Sequence, residues 1–370
     1  MQNIVVHLQS EVSNSFRCQK AANSLDIDTS KKSVHHLEIG VDLVKPFNVG
    51  LILGASGSGK TTLAKKLFGD DCFEVAIDLA KPIIDQFPDD WSYDDCATAL
   101  AGMGLTAVPC WIRPAYTLSN GQRARAEAAL LLAASTRDVI VIDEWTSVVD
   151  RTVAKVMSHC LQKYARRTGK KIMVISCHYD VVEWLNPDFI SDCNLQQYTD
   201  RRAMVGTFER TDQLRLDVRQ VDRKSWKYFS KYHYLSDNLP AGKIYTYGLF
   251  DGENQIGFQC FAAYIPGNQV TFFSNRTVIH PDYAGLGLGI HLINETSKDV
   301  VRKGLKVKAK FSSIPVYKAM IRQKYWICTE VSTPIEKGKM GSLKGNSGRQ
   351  RVAAVRSKVK CFHFDFIWKA

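Results

Sequence analysis

Short, continuously apolar runs separated by polar segments characterise the N-terminal half of the chain. Runs at residues 49–53, 139–142 and 172–175 predict parallel strands buried on both faces, because such strands have no polar side. Residues 3–8 predict an edge strand, and the polar residues 10–36 predict irregular structure. Polar residues follow each of the three buried runs. Because the carboxyl ends of parallel strands meet at one edge of a sheet, these polar residues should converge on one site.

The polar residues after the first run have the sequence GASGSGKTT, residues 54–62, and fit the phosphate-loop pattern G-x-x-x-x-G-K-[ST]. Glycines let successive backbone N–H groups turn inward around an anion. Lys60 supplies a charge for the β- and γ-phosphates, the Thr61 hydroxyl suits Mg²⁺, and a helix predicted at 62–68 points its positive end at the phosphates. The alternative is a Gly/Ser-rich turn that binds nothing. The residues assigned to the nucleotide are Gly54, Gly57, Gly59, Lys60, Thr61 and Thr62.

Polar residues after the second and third runs complete this candidate site. Asp143 follows the run VIVI and is placed to hold Mg²⁺ through its coordinated waters, together with Thr61. Glu144 beside it is the natural base for the attacking water. His178, after the third run, is a candidate sensor of the γ-phosphate. The alternatives are a surface acidic pair and a structural histidine.

The stretch LSNGQ at residues 118–122 opens another predicted helix. Ser119 and Gln122 have capping-box spacing, which orders the N–H groups at the start of that helix and leaves them exposed. Gly121 permits the close approach of whatever lies in front of it. LSNGQ precedes the VIVIDE strand by about twenty residues. In that position it resembles the signature sequence of ABC-type ATPases, with Asn120 where Gly is commoner.

The resemblance to ABC-type ATPases covers about residues 1–200 and includes five landmarks in the family order. They are the phosphate loop, LSNGQ, IDE at 142–144, the D-loop SVVD at 147–150, and His178 as the switch histidine. Gln86 matches the Q-loop glutamine, which is a ligand of the Mg²⁺ in that family.

What this resemblance implies is ATP hydrolysis with Mg²⁺ by a homodimer. ABC-type ATPases bind two ATP molecules between two head-to-tail subunits. Ser119, Gly121 and Gln122 of one subunit would therefore face the γ-phosphate that the other subunit holds.

The pattern changes beyond residue 212, after a polar, charged segment at 196–212. We therefore predict an α/β domain at 1–205 and an α+β domain at 212–370, with a boundary near 205–212. The elements predicted for the second domain are a half-exposed strand at 214–218, a helix at 226–234, a hairpin of strands 243–250 and 255–264, a strand at 270–279, a helix at 290–302, a strand at 307–311, a helix at 315–324, and a final core strand formed by the alternating Phe362, Phe364, Phe366 and Trp368.

The sequence PDYAGLGLG at 281–289 is a second candidate anion cradle, because a Gly-rich turn there joins a strand to a helix N-terminus. By itself it is also compatible with a nucleotide loop of another sort. With the preceding Val-x-His it resembles the acyl-CoA loop of the GNAT N-acetyltransferases, which implies binding of acetyl-CoA or another acyl-CoA. The matching positions are Ala284, Gly285, Gly287 and Gly289, with Ala284 where that family usually has Gln or Arg. The alternative is a noncatalytic α+β domain.

The GNAT resemblance implies direct attack of an amine on an acyl thioester, which needs a base, donors for the oxyanion and an acid for the leaving thiolate. The tyrosine that usually serves as the acid falls at Ile321. Tyr317, one turn earlier, is the favoured substitute, and Tyr325 is the other. His233 and Arg276 are candidate groups on the substrate side, with a structural role as the alternative for each.

Composition limits the remaining possibilities. A chain of 370 residues is long enough for two domains, and its 45% hydrophobic content is ordinary for globular proteins. No run approaches the ~20 apolar residues of a membrane span, and no secretory signal is visible at the start. The 10 cysteines are scattered without C-x-x-C pairs, which favours reduced thiols and a cytoplasmic location.

Positive charge is concentrated in the C-terminal part of the chain. Residues 211–370 contain 26 Lys and Arg against 12 Asp and Glu, so this part alone exceeds the net charge of +12 of the whole chain. Residues 337–360 contain eight basic residues and no acidic one. This asymmetry favours an anionic partner such as nucleic acid, with a merely soluble basic domain as the alternative.

Together these features predict an ATP-hydrolysing ABC-type dimer that drives or gates a GNAT-like acyltransferase. The expected acceptor is a nucleic-acid base, in DNA before tRNA, because the positive charge lies beside the acyl site. The HYL sequence that begins at His233 also resembles the Mom-like DNA-modification acyltransferases of phages, which suggests a prokaryotic or phage protein. The alternatives are a protein or ribosome-associated N-acetyltransferase and a nonenzymatic nucleic-acid clamp.

Overall fold

Two compact units make up the computed structural model, which describes residues 2–10, 13, 15–24, 33–73, 77–204, 216–233, 238–264, 270–332 and 360–369. The first unit comprises residues 1–81 and 115–210, and the second comprises residues 82–114 and 211–370. Both units combine helices with a sheet, so the predicted α/β fold class is confirmed. The predicted domain boundary near 205–212 and most of the basic segment at 337–360 lie outside the described residues.

The first unit contains seven described strands, which are β1 Gln2–Ser10, β2 Ser33–Val41, β3 Val49–Leu53, β4 Val139–Ile142, β5 Lys171–Ser176, β6 Phe189–Asp192 and β7 Gln197–Asp200. Helices are numbered along the whole chain. Those of the first unit are α1 Phe16–Ser24, α2 Lys60–Phe68, α5 Asn120–Ala134, α6 Arg151–Thr168 and α7 Val181–Leu185.

The main sheet of the first unit has the strand order β4-β5-β3-β6-β7. β4, β5, β3 and β6 run parallel, and β7 returns antiparallel to β6. All five residues of β3 are buried, as expected for a strand covered on both faces. The three predicted parallel strands are therefore neighbours, and their polar ends lie at the same edge of the sheet.

Residues 10–36 differ from the predicted irregular structure. They contain α1, and β2 begins at Ser33 and pairs antiparallel with β1 in a separate two-stranded sheet. The predicted strand at 3–8 is confirmed as part of β1. In β2 the side chains of Leu37, Ile39 and Val41 are buried in the core. Long-range pairing with β1 supplies the hydrogen bonds of this strand, which a polar local sequence does not reveal.

The described strands of the second unit are β8 Leu216–Gln220, β9 Ile244–Asp251, β10 Asn254–Tyr264, β11 Thr271–Ile279, β12 Lys306–Phe311, β13 Trp326–Ser332 and β14 Cys361–Phe366. Its helices are α3 Tyr93–Gly102, α4 Val108–Trp111, α8 Trp226–Phe229, α9 Leu288–Arg302 and α10 Ile314–Met320.

These strands form one mixed sheet in the order β13-β14-β12-β11-β10-β9-β8. The predicted hairpin is confirmed as the antiparallel pair β9 and β10. β14 lies between β12 and β13 and buries Phe362, Phe364 and Phe366, so the predicted final core strand is confirmed for these three residues, whereas Trp368 lies beyond its end. β11 and β12 are parallel and pair over four residues, from Thr271 to Ser274 on β11.

Two predicted helices are shorter in the structure. α10 ends at Met320 rather than near residue 324, because β13 begins at Trp326 and the chain must turn back to pair with β14. The predicted helix at 226–234 is the single turn of α8 followed by a 3₁₀ turn at Ser230–Tyr232. Trp226 and Phe229 pack on Phe258 of the sheet, so aromatic burial determines this segment more than helical periodicity does.

The segment 82–114 lies within the sequence of the predicted first domain but belongs to the second compact unit. Ser92 forms a capping box with Asp95 and starts α3. Thr98 on α3 accepts a hydrogen bond from Lys318 on α10, with 3.2 Å between Oγ1 and Nζ. Helix α3 therefore packs beside helix α10 within this unit.

No helix among the described residues combines the length and the apolar character needed to cross a bilayer.

Asp188 provides a test of what holds the central strand β3 in place. Its carboxylate accepts hydrogen bonds from the backbone N–H groups of Asn48 and Val49, both at 2.8 Å, and lies 3.4 Å from Arg166 Nη1. We expect Asp188→Ala to destabilise the first unit by about 3 kcal/mol, because buried donors lose their acceptor. Asp138→Ala is the control, since this exposed partner of Lys171 should cost less than about 1 kcal/mol. Hydrogen exchange of the β3 amides measures the loss of stability in each variant. Equal losses in Asp188→Ala and Asp138→Ala would contradict the role assigned to Asp188.

Candidate active sites

The phosphate loop after β3 has a backbone that requires glycine. Gly57 and Gly59 have φ angles of +81° and +90°, a region that other L-residues rarely adopt. A Cβ on Gly54 would collide with the buried Ser58 hydroxyl. Gly59 directly precedes α2, so the loop directs the first N–H groups of that helix into its own concave side. A glycine turn of this kind at a helix N-terminus fits a phosphate group.

Lys60 and Thr61 open helix α2 with different partners. The Lys60 side chain is buried, and its ammonium donates a 2.7 Å hydrogen bond back to the Ala55 carbonyl, so its charge is held over the loop. Thr61 donates a 2.9 Å hydrogen bond from Oγ1 to Asp143 Oδ2. A hydroxyl and a carboxylate oxygen at this distance are hard ligands that suit Mg²⁺ beside bound phosphates. The structure therefore brings together two of the three residues that the sequence assigned to the metal.

The turn after β4 is strained and anchored to the neighbouring strand. Glu144 has a φ of +52°, and its backbone N–H donates to Asp143 Oδ1 at 2.8 Å. Trp145 N–H donates to the Ile175 carbonyl of β5, and Ser176 Oγ donates to the Trp145 carbonyl. A non-glycine residue with positive φ costs free energy, so the surrounding contacts must hold it there.

The same serine links the turn to the third strand end. Ser176 Oγ accepts a 3.1 Å hydrogen bond from the backbone N–H of His178. Asp143, Glu144 and His178 thus lie at adjacent strand ends of one sheet edge, as predicted. Their individual chemical roles stay predictions.

The LSNGQ segment forms the predicted capping box. Ser119 Oγ accepts from Gln122 N–H at 3.3 Å, and Gln122 Oε1 accepts from Ser119 N–H at 3.1 Å, which orders the start of α5. Ser119 is exposed. A Cβ on Gly121 would lie 3.3 Å from Val153 in the first turn of α6, so the close neighbour of Gly121 within the chain is that helix.

Sequence reasoning missed a polar residue that supports the phosphate loop. Asn194 Oδ1 accepts a 3.1 Å hydrogen bond from the Ala55 N–H of the loop, and its amide donates to the Tyr179 hydroxyl at 3.2 Å. Burial, followed by the hydrogen bond to Asp192, raises the pKa of Tyr179. Asn194 follows β6, a parallel strand that contributes a further polar end to the same edge. The signal that located Asp143 and His178 therefore applied to it as well.

Gln86 lies in the segment 82–114 of the second unit, in a 3₁₀ turn at Ile83–Gln86. Its side-chain amide donates a 3.3 Å hydrogen bond to the Pro82 carbonyl. Its assignment as the Q-loop glutamine and Mg²⁺ ligand stays a prediction.

The second Gly-rich loop also opens a helix. Gly285 and Gly287 have φ angles of +98° and +82°, and Gly287 directly precedes the 15-residue helix α9. Gly287 is exposed, and a Cβ there would meet no atom within 4 Å. Gly289 lies in the first helical turn, and the side chain of Ala284 is buried. The loop presents backbone donors at an accessible helix N-terminus, which fits a pyrophosphate.

The strands beside this loop diverge. β11 pairs with β12 only up to Ser274 and Ala309, although β11 continues to Ile279. On its other side β11 stays paired with β10 as far as Ile279. The β12-facing side of residues 275–279 therefore leads from the point of divergence to the Gly-rich loop. An extended arm attached to a pyrophosphate on the loop can follow this path.

His233 and Arg276 lie close together in the second unit. Burial, followed by the positive charge of Arg276, lowers the pKa of His233 to about 4, so the imidazole is neutral at neutral pH. Arg276 is buried and donates from Nη1 to Asn275 Oδ1 at 2.8 Å and from Nη2 to the Asn238 carbonyl at 3.3 Å.

The tyrosine candidates differ in their surroundings. The Tyr317 ring stacks on Phe362 with 4.0 Å between centroids, and Tyr325 packs edge-on against Phe366. Ile321, at the position where the GNAT family usually has its tyrosine, is 49% exposed. The role of Tyr317 as the acid stays a prediction.

A second set of groups near the Gly-rich loop was not predicted. The Tyr232 hydroxyl lies 3.0 Å from His280 Nε2, and His280 Nδ1 lies 3.4 Å from an Asp282 carboxylate oxygen. A tyrosine, a histidine and a carboxylate that contact one another in this order are typical of proton-transfer chains. His280 and Asp282 belong to the sequence HPDY, which directly precedes the Gly-rich loop, and the sequence pattern pointed to the loop residues rather than to these two.

Comparisons of the sequence with models of protein families and with curated proteins give no match. Solved structures similar to this chain include ABC-type ATP-binding cassettes and GNAT N-acetyltransferases, which match different parts of it. One is a dimeric bacterial ABC transporter cassette, with 15% identity, a TM-score of 0.34, and coverage of 45% of this chain and 92% of the cassette.

Two of the similar structures are acetyltransferases. NAA60 of Arabidopsis thaliana, in complex with a bisubstrate analogue, is 14% identical, with a TM-score of 0.30 and coverage of 42% of this chain and 99% of NAA60. The ribosomal-protein-S18-alanine N-acetyltransferase of Escherichia coli is 9% identical, with a TM-score of 0.29 and coverage of 42% and 96% respectively.

The lowered pKa of His233 predicts how the second unit responds to acid. Between pH 6.5 and about 4 the unfolded chain binds a proton at this histidine and the folded unit does not, so stability falls as the pH is lowered through this range. We expect His233→Gln to reduce the acid-induced loss of Tm between pH 7 and 4.5 by roughly 2–4 °C. The exposed His291→Gln is the control. An acid response in His233→Gln equal to that of the parent protein would contradict the prediction.

Proposed function

We propose that this protein is an ABC-type ATPase joined to a GNAT-like acyltransferase that moves an acyl group from acetyl-CoA or another acyl-CoA to an amine. The observation that carries the proposal is the presence of two glycine turns, each opening a helix, with different chemistry beside each. The first, before α2, has the hydrogen-bonded pair Thr61 and Asp143. The second, before α9, lies next to the diverging strands β11 and β12.

In the ATPase half the loop glycines and Lys60 bind the phosphates. Thr61 and Asp143 would hold Mg²⁺, which would neutralise charge on the transferred phosphoryl group. Glu144 takes the proton of the attacking water, and His178 contacts the γ-phosphate. The strained backbone of Glu144 supports this role, because such strain concentrates at functional residues.

The ATPase half acts as a homodimer. The ordered start of α5 leaves Ser119 and Asn120 exposed, with helix N–H groups available to an anion from outside the chain. The γ-phosphate held by a second copy is the occupant that the ABC resemblance implies. Each subunit then completes the nucleotide site of the other.

In the acyltransferase half the amine nitrogen attacks the thioester carbonyl carbon. The new C–N bond forms, the C–S bond breaks, the amine releases one proton to solvent water, and the thiolate gains one from Tyr317, which regains its proton from solvent. A histidine with a pKa of about 4 is a weak base at neutral pH, so we assign His233 to accepting a hydrogen bond from the amine. Tyr232 and His280 form a second pair that can transfer a proton.

The proposed acceptor is an amine on a nucleic-acid base, in DNA before tRNA. Residues 211–370 contain 26 basic and 12 acidic residues, and this excess of positive charge supports a polyanionic partner. The HYL resemblance to Mom-like phage enzymes supports DNA modification. A cytoplasmic location is consistent with ten free cysteines. A protein or ribosome-associated acetyltransferase and a nonenzymatic clamp remain the competing functions.

Glu144→Gln tests the ATPase assignment. Loss of the base should lower kcat for ATP hydrolysis on the order of 10²–10³-fold while ATP still binds, so a nucleotide-bound dimer should accumulate. Turnover is measured by phosphate release, and the dimer by analytical ultracentrifugation. Glu183→Gln, an exposed carboxylate change on α7, is the control. Hydrolysis at the parent rate in Glu144→Gln would refute the assignment of the base.

Gly287→Glu tests the acyl-CoA loop, because a carboxylate there would repel the pyrophosphate. Gly252→Glu is a matched control, since Gly252 also has a positive φ and open space around a Cβ but lies in the β9–β10 turn. Nucleoside mass spectrometry of DNA and tRNA from expressing cells should show an added acyl mass with the parent and Gly252→Glu proteins and its loss with Gly287→Glu. If the nucleosides of DNA and of tRNA have the same masses with the parent protein as with Gly287→Glu, base modification is excluded.

A further inference from the structure

β11 contains one extra residue at the point where it leaves β12. Cys260 of β10 faces Arg276, and the next residue, Phe261, faces Ser274, so Asn275 is the inserted residue of a β-bulge. Ser274 is also the last residue of β11 that pairs with β12. The bulge and the divergence of the two strands therefore coincide.

A hydrogen-bond cluster around the buried side chain of Gln259 connects the two sides of this bulge. In a regular strand, side chains three residues apart point to opposite faces, but the inserted residue places Ser274 and Thr277 on the same face. Gln259, which is fully buried on β10, donates to Ser274 Oγ at 3.0 Å and accepts from Thr277 Oγ1 at 2.6 Å. The two hydroxyls lie 3.3 Å apart. One amide side chain thus joins the residues on both sides of the insertion.

This cluster depends on the bulge for its geometry. A β11 strand without the insertion would turn one of the two hydroxyls away from Gln259 and leave buried polar atoms without partners, which is costly in a sheet interior. The cluster therefore favours the bulged form over a regular strand. No other side chain is needed for this preference, because both ends of the Gln259 amide are used.

The bulge lies where the reacting end of an acyl-CoA would be. From Ile279 to Asn275 the strand covers about 13 Å at ~3.3 Å per residue, starting beside the Gly-rich loop. A pyrophosphate on the loop and an extended arm along the free side of β11 bring the thioester to residues 275–276. Their backbone N–H groups and carbonyls are the polar groups available there to orient the acyl carbonyl.

We propose that Gln259 is a positioning residue for acyl transfer, holding the Asn275 bulge through Ser274 and Thr277 so that the β11 backbone orients the thioester. This inference rests on the proposed acyltransferase function. Gln259 itself does not contact the reacting atoms. Its effect should therefore fall on kcat rather than on the affinity for acyl-CoA, which the loop glycines determine.

The test compares Gln259→Leu and the milder Thr277→Val with the control Thr296→Val. Thr296 is equally buried in the same unit, but its hydroxyl bonds only within helix α9. The first measurement is hydrogen exchange of the amides of residues 274–277, which does not require activity. The second is acetyl-CoA affinity by calorimetry, and the third is thiol release from acetyl-CoA with double-stranded DNA of mixed sequence. Thermal melting checks folding, and Thr277→Val replaces Gln259→Leu if the latter does not fold.

We expect faster exchange at 274–277 in both test variants, acetyl-CoA affinity within about 3-fold of the parent protein, and a loss of thiol release on the order of 10²-fold, because misplacement by about 1 Å has effects of this size. Thr296→Val should leave all three unchanged. Exchange equal to that of the parent, or faster exchange with undiminished thiol release, would overturn the inference alone. A parent protein that neither binds acetyl-CoA nor releases thiol would overturn the proposed function, and the role of Gln259 with it.

Discussion

Parallel pairing of β4, β5, β3 and β6 is the constraint on which the nucleotide site depends. Parallel strands share a direction, so the residues that follow each of them must lie at one edge of the sheet. This is why Thr61 can bond to Asp143 across 82 residues of sequence, and why Trp145 can bond to β5. No local interaction would bring these side chains together without the sheet.

The candidate site of the second unit depends instead on an interruption of strand pairing. Its strands β11 and β12 are parallel for four residues and then separate, and the helix α9 begins just beyond the end of β11. Backbone groups that a continuous sheet would satisfy are thereby made available beside an exposed glycine turn. The strands on either side of this opening are joined by one buried cluster, which contains Phe272 of β11 and Ala309 of β12.

Both glycine turns rely on the same physical property of a helix N-terminus, and they differ in what surrounds it. The first has a buried lysine and two hard oxygen ligands, which suit a triphosphate with a metal ion. The second has no side chain at Gly287 and a buried Ala284, so its donors are backbone groups. The charge that favours anions there comes from the helix end and from the general excess of basic residues.

The sequence alone determined the two glycine turns, the parallel strands, the capping box at Ser119 and the core strand at the C-terminus, because each depends on local residue type and period. It did not reveal the pairing of β1 with β2, the packing of segment 82–114 in the second unit, or the contacts of Asn194 and Gln259. Those depend on which distant segments meet. Ser274 and Thr277 share a face only because one residue is inserted opposite β10, and strand pairing, rather than any local pattern, decides that register.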